Sequence, residues 1–211
     1  EMDAATLRTA TDLLAHLLRE LEKAPDDPDV IRGIEGRAAA VHFEVFSLHL
    51  KPALRAVFPF DGRNRRPPRD AINCLLSFLY ALLRHDCVSA LTAVGLDPFV
   101  GFLHVDRAGR ESLALDLMEE FRPWAERLAC TLLNRGELKA GDFKVRDGGA
   151  FELTDAARKA IVAAYQQRKA EELVHPLFRE KVRHGQLAFI QARLLARAIR
   201  GEGPYTPQLF S

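Results

Sequence analysis

The stretch after Asp70 constrains the fold more than any other. Ile72, Leu75, Leu76, Phe78, Leu79, Leu82 and Leu83 leave almost no side of a helix polar. A helix that is apolar nearly all round must be enclosed by other elements, so it belongs at the centre of a core. A chain of 211 residues, 48% hydrophobic and 28% charged, is long enough and apolar enough to enclose it. The flanking segments read as amphipathic helices. Leu7, Leu13, Leu14, Leu17, Leu18 and Leu21 repeat at helical spacing over residues 3–23, and Ile31, Ile34, Ala38, Val41, Val45 and Leu48 do so over 30–49. A further helix is expected at about 86–94, another from Ser112, one from Thr154 to about Leu173, and a last one from Pro176. Residues 141–153 alternate around Asp147-Gly148-Gly149, which predicts a β-hairpin. The expectation is an all-α, multi-helix single domain over 1–211. It carries one small β-hairpin near 143–153 and a mobile, Gly- and Pro-rich tail over 201–211.

Composition narrows the function classes. Cys74, Cys87 and Cys130 are scattered, odd in number and set in apolar context. They read as buried thiols of a reducing compartment, and a cytoplasmic, prokaryotic location is expected. No apolar run is read as reaching membrane-spanning length, so no membrane partner is expected. The formal net charge of +1 offers no bulk basicity. Any nucleic acid must be met by local patches. Two present themselves. The loop 59–69 holds Arg63, Arg65, Arg66 and Arg69, whose guanidinium forks suit phosphates. The last helix repeats Arg179, Arg183, Gln186, Ile190, Arg193, Arg197 and Arg200 by threes and fours, a one-signed stripe about five turns long. The competing reading of both patches is solvated surface. Asn73 is the polar exception on the apolar helix. Tyr80 lies seven residues on, so both share a face and are expected to look towards DNA or its support.

Chemistry concentrates in 101–127, GFLHVDRAGRESLALDLMEEFRPWAER. His104 falls in a loop after Asp97-Pro98. Asp116 and Glu119 are three apart, so they share a helix face, and Leu113, Leu117 and Met118 pack that helix. Pro123 cannot donate to the carbonyl of Glu119, so a kink or break is expected there. Carboxylates plus one imidazole suit magnesium or manganese. A salt-bridged helix face with Arg122 and an unrelated histidine is the alternative. Glu35 lies between Gly33 and Gly36 and ahead of Ala38, Ala39 and Ala40. These small residues bare the helix surface for close approach of a ligand or another backbone. Plain tight packing would use the same residues.

Taken in order, several pieces resemble the C-terminal domain of the CRISPR-associated integrase, the large subunit of the spacer-acquisition complex. They are Ile34-Glu35-Gly36-Arg37-Ala38-Ala39, Arg66-Pro67-Pro68-Arg69-Asp70 with Asn73 to Tyr80, Leu96-Asp97-Pro98 with Gly101-Phe102-Leu103-His104, and Asp116-Leu117-Met118-Glu119-Glu120-Phe121-Arg122-Pro123. The resemblance implies metal ligation and catalysis by Glu35, His104 and Glu119, with Asp116 in support and Mg²⁺ or Mn²⁺ as cofactor. DNA contacts are then expected from Arg63, Arg65, Arg66, Arg69, Asn73, Tyr80, Arg179, Arg183, Arg193 and Arg197. The implied activity is endonucleolytic cleavage and insertion of captured DNA into a repeat array by 3′-hydroxyl transesterification. The implied partners are DNA, a second copy in a homodimer, a small ferredoxin-like subunit and, in some relatives, an iron–sulfur exonuclease, fused or separate. Two departures stand out. His42 occupies a position where the family commonly has tyrosine. The family's N-terminal β domain is absent ahead of the first helix, so the chain is expected to be part of a longer protein. A stand-alone metal nuclease acting on branched DNA, and a non-catalytic helical DNA-binding module, are the other readings.

Overall fold

The computed structural model describes residues 2–64, 66–105 and 107–210. Its elements are α1 (Met2–Glu22), α2 (Pro28–Glu44), α3 (Pro52–Arg55), α4 (Ala71–Ala93), α5 (Ser112–Glu119), α6 (Arg122–Asn134), β1 (Phe143–Val145), β2 (Phe151–Leu153), α7 (Asp155–Ala170), β3 (Glu172–Val174), β4 (Lys181–Arg183) and α8 (His184–Ile199). The chain is mostly helical. It divides into two compact units. One is Glu1–Leu75 with Cys130–Leu153, the other Leu76–Ala129 with Thr154–Ser211.

In the first unit α1 packs on α2. Asp27 starts α2 by accepting the Asp29 N–H at 2.9 Å, and Pro28 costs nothing in the first turn, where its N–H would be unsatisfied anyway. The helix ends at Glu44, earlier than the periodicity predicts, and a 3₁₀ turn covers Phe46–His49. The core here is aromatic. Phe46 lies 5.9 Å from Phe43 and 5.4 Å from Phe60, and Phe58 meets Phe143 of β1 at 6.0 Å. His42 packs edge-on to Phe43 at 5.1 Å and Phe46 at 5.8 Å, which makes it a structural residue. The β1–β2 hairpin pairs Phe143 with Leu153, within the span the alternation predicts.

Asn73 ties the arginine loop to the start of α4. Its side chain is fully buried. Its Oδ1 accepts from the Asn64 N–H at 3.0 Å and Arg63 Nη1 at 2.6 Å. Its Nδ2 donates to the Gly62 carbonyl at 2.9 Å and to Asp70 at 2.6 Å. Asp70 in turn accepts the Asn73 N–H at 2.7 Å and so caps α4, as expected.

Three expectations need correction. First, α4 is one continuous helix of 23 residues, where the sequence suggested a break near 84–86. The polar run Arg84-His85-Asp86 stays helical, and Asp86 accepts from Tyr165 at 2.7 Å and Lys169 at 2.8 Å. At that length and composition α4 could cross a membrane. Yet Ile72, Leu75, Leu76, Leu79, Cys87, Ala90 and Leu91 are enclosed by protein. Burial, with Asp86 beside it, raises the Cys87 thiol pKa, so it stays an inert protonated thiol. Second, there are two hairpins among the described residues. β3 and β4 pair Leu173 with Val182, where the sequence predicted the end of one helix and the start of the next. Buried His175 organises their turn by accepting the Leu177 N–H at 3.2 Å, and Arg179 adopts φ +56° there. Third, the tail 201–210 is docked: Gln208 is 4% exposed and Tyr205 bonds Glu120.

Removing the Asn73 amide should strand the Asn64 N–H and the Gly62 carbonyl in the interior. Asn73→Ala is expected to lower stability by about 2 kcal/mol in urea unfolding, and to speed proteolysis of the 60–69 loop.

Candidate functional site

The second unit builds its site on one carboxylate. Asp116, near the middle of α5, faces back over the loop that precedes the helix. Its Oδ2 accepts the N–H of Phe102 at 2.6 Å and of Leu103 at 3.0 Å. Its Oδ1 accepts the His104 N–H at 2.9 Å and the His104 ring Nδ1 at 2.7 Å. A carboxylate can only accept, so Nδ1 carries a proton, and in the neutral imidazole Nε2 holds the lone pair. Burial pushes the Asp116 pKa up, but the bonds from His104, Phe102 and Leu103 outweigh it and hold the carboxyl below its ordinary range. The loop lies so close to α5 that residue 101 must be glycine. A Cβ there would stand 2.7 Å from that of Ser112 and 2.9 Å from the His104 carbonyl.

Glu119 is the last residue of α5. Its Oε1 lies 4.0 Å from His104 Nε2 and 2.7 Å from Arg122 Nη2. The helix breaks at Glu120-Phe121 and restarts at Arg122, leaving Pro123 in the first turn of α6, where it needs no donor. The expected break is there. The Arg122 guanidinium also lies over the Tyr80 ring, 4.9 Å from its centroid, and the Tyr80 hydroxyl donates to buried Glu126. Arg122 thus holds Glu119 on one side and α4 on the other.

The structure brings His104, Asp116 and Glu119 together. Glu35 belongs to the first unit, exposed on α2. Nothing lies within 4 Å of where Cβ atoms of Gly33 and Gly36 would stand, so the helix surface around it is bare. Beside it a groove of about 540 Å³ runs between Gly36, Ala39 and Ala40 and the residues Phe60 and Arg63. Among the described residues, no group of three His, Cys, Asp or Glu side chains is arranged to hold a metal ion. The donors of the second unit nonetheless fit a hard divalent cation. An imidazole lone pair faces a carboxylate oxygen 4.0 Å away, a gap that ligand distances of about 2.0–2.1 Å can span.

The expected DNA contacts divide. Arg66 and Arg193 are exposed. Arg197 is exposed too, with Glu202 at 3.7 Å. Arg69 braces the first hairpin by donating to the Gly148 carbonyl at 3.0 Å. Arg63 turns inward to Asn73, and Arg65 lies outside the described residues. Asn73 at 0% and Tyr80 at 7% exposure are interior residues, which corrects the expectation that they look towards DNA. Arg179 and Arg183 leave the stripe because they lie in the turn and on the second strand of the β3–β4 hairpin. Sequence reasoning missed Tyr80–Glu126 and the partners of Glu120. The spacing of Arg122, three after Glu119, was the one legible signal of this scaffold.

The family profile described as "CRISPR associated protein Cas1" matches residues 1–167. The chain belongs to the Cas1 family. It is 50% identical over 209 residues to the CRISPR-associated endonuclease Cas1 2 of Rhodospirillum rubrum, covering 99% of this chain and 60% of that protein. It therefore spans about three fifths of that Cas1 relative's length. It is also 45% identical over 193 residues to a CRISPR-associated exonuclease Cas4/endonuclease Cas1 fusion of Geobacter sulfurreducens, covering 90% of this chain and 34% of the fusion. Among solved structures, a chain of a Cas6-RT-Cas1–Cas2 complex matches with a TM-score of 0.85 at 26% identity, over 100% of this chain and 23% of that one.

Two outcomes follow for the Asp116 hub. Gly101→Ala and Asp116→Asn should each release the His104 loop, and Mn²⁺ affinity should fall about 10–100-fold by titration calorimetry, as when a ligand's supporting acceptor is lost. The Asp116 pKa is depressed in the fold. Its stabilising contribution is therefore present above the ordinary carboxylate range and lost as pH falls through the lowered value. Proteolysis of the 97–111 loop should accelerate across that acid range in the parent chain, and should be fast at every pH in Asp116→Asn.

Proposed function

We propose that this chain is the catalytic part of a metal-dependent DNA endonuclease and integrase of CRISPR adaptation. The observation that carries the reading is the His104 ring, held by Asp116 with its lone pair turned towards Glu119. A solvated histidine would need no such fixing, and the second ring nitrogen faces another carboxylate across a gap that one cation could fill. His104 and Glu119 would hold Mg²⁺ or Mn²⁺, with Glu35 supplying a further carboxylate. When bound, the cation supplies charge stabilisation at a phosphodiester and at the leaving oxygen.

The chain's own groups do the rest. Asp116 keeps the imidazole aimed. Arg122 offsets the charge of Glu119 and restrains its side chain. Arg66 and Arg193 meet DNA backbone, which binds without choosing sequence. Attack by water on the phosphorus breaks one P–O bond and gives nicked DNA. Attack by the 3′-hydroxyl of a captured fragment exchanges one phosphodiester for another and releases a new 3′-hydroxyl on the repeat strand. A homodimer bridged by a small ferredoxin-like subunit, association with an iron–sulfur exonuclease, and a prokaryotic cytoplasmic setting complete the proposal. The Cas4 fusion and the Cas2-containing complex among the relatives support the partners.

Manganese-dependent cleavage of branched DNA tests it. Glu35→Ala, His104→Ala and Glu119→Ala should each lose about a hundredfold or more of the rate while DNA binding persists. Near-normal cleavage in any of the three would remove that residue from the mechanism. Integration of a labelled fragment into a repeat-bearing plasmid separates an integrase from a repair nuclease. Arg66→Ala and Arg193→Ala should weaken binding to all sequences alike and flatten the salt dependence by a slope of about one each.

A further inference from the structure

Glu120 sits at the break between α5 and α6, one residue after Glu119. Its carboxylate is the point where the C-terminal segment attaches. Oε1 accepts from the Tyr205 hydroxyl. Oε2 accepts from Gln191 Nε2 at 2.8 Å and from the Gln208 N–H at 2.7 Å. Gln191 reaches out from α8, 1% exposed, and also donates to the Thr206 carbonyl at 3.0 Å. The next residue, Phe121, meets the ring of Phe210 at 6.1 Å, and the Phe210 carbonyl accepts from Arg127 Nη2 at 3.3 Å. Three donors and an aromatic contact, drawn from α8 and the last residues of the chain, thus converge on the two residues that break the helix.

That convergence has a physical consequence. At the break the regular helical ladder gives way to tighter turns, with the Phe121 N–H on the Met118 carbonyl at 2.9 Å and the Trp124 N–H on the Phe121 carbonyl at 3.1 Å, so the junction is held less firmly than a continuous helix. The side chain of Glu119 stands at the edge of the break, 4.0 Å from His104, where a displacement of an ångström would open the gap beyond the reach of a shared ion. Burial and the Glu120 charge raise the Tyr205 phenol pKa, so it remains a donor throughout the neutral range. Exposed tail residues with no task would not be expected to bury a glutamine and spend three donors on one carboxylate.

We infer that Glu120, Gln191 and Tyr205 are positioning residues, and that the segment 204–210 is a strap that holds the α5–α6 break so that Glu119 stays in register with His104. The strap touches neither DNA nor cation and acts only through the backbone of residues 119–121. The inference rests on the proposed function for its catalytic consequence, but not for its structural one.

The experiment compares the intact chain with Tyr205→Phe, Glu120→Gln and a chain ended at Gly203. It reads three quantities for each: amide hydrogen exchange, Mn²⁺ binding by electron paramagnetic resonance, and cleavage kinetics on branched DNA. In the shortened chain, exchange should rise at residues 119–122 and stay unchanged in the 102–104 loop. The Mn²⁺ dissociation constant should rise about tenfold, an effect of the size seen when a metal ligand's support is removed. The rate constant should fall while KM for DNA holds. Tyr205→Phe keeps the ring and should give a smaller shift in the same direction. A synthetic peptide of residues 204–211 added to the shortened chain should restore both readings. Unchanged exchange at 119–122 in the shortened chain would overturn the strap. A lowered melting temperature with unchanged Mn²⁺ affinity and rate constant would reduce it to plain stability and overturn the positioning role. An intact chain that binds no Mn²⁺ would defeat the proposed function, while the exchange reading would still decide the strap.

Discussion

The carboxylate of Asp116 is the constraint on which the second unit's chemistry depends. A half-buried anion is costly unless donors surround it, and here the donors are the loop that carries His104. Three backbone N–H groups and one ring nitrogen converge on two oxygens. The arrangement fixes three things together: the path of the loop, the tautomer of the imidazole and the direction of its free nitrogen. Gly101 is the steric condition for this, because the loop can approach α5 only where no Cβ intervenes. The Asp116 that looked from sequence like a second candidate ligand is thereby committed. Its lone pairs are taken up in aiming another residue.

Around that hub, charges are paired in series. Glu119 meets Arg122, Arg122 covers the Tyr80 ring, and Tyr80 donates to Glu126. Each link satisfies a group that would otherwise be costly to bury. The same economy operates at Asp86, which neutralises Lys169 and takes the Tyr165 proton donor in the middle of the most apolar helix. These polar pairs orient helices relative to one another. In the first unit Asn73 serves the arginine loop instead.

What the linear pattern disclosed follows from range. Helices announce themselves through neighbours three and four residues apart, so α1, α2, α5, α6 and α7 were legible, as was the β1–β2 hairpin through its glycines. Glu119, Asp116 and Arg122 lie within one helical stretch and could be grouped by spacing alone. The break before Pro123 was legible because proline's missing donor is a local property. Errors fell where a local signal was overruled from far away. Arg84-His85-Asp86 continues as helix because residues of α7 satisfy Asp86. The β3–β4 hairpin depends on a buried histidine whose role no spacing rule announces. The tail looked mobile because glycine and proline dominate its composition, yet a single carboxylate on another element docks it.

By itself, then, the sequence determined the helical class, the capping of α4 by Asp70, the break after Glu119 and the residue types able to take a hard cation. Each of these is settled by interactions spanning a few residues. Only the tertiary structure decided that Asp116 aims His104, that Asn73 and Tyr80 turn inward, and that the C-terminal segment grips Glu120. Those outcomes join residues up to 88 positions apart. Such pairings form only once the apolar helices have packed, because packing is what removes water and makes each unsatisfied donor or acceptor costly.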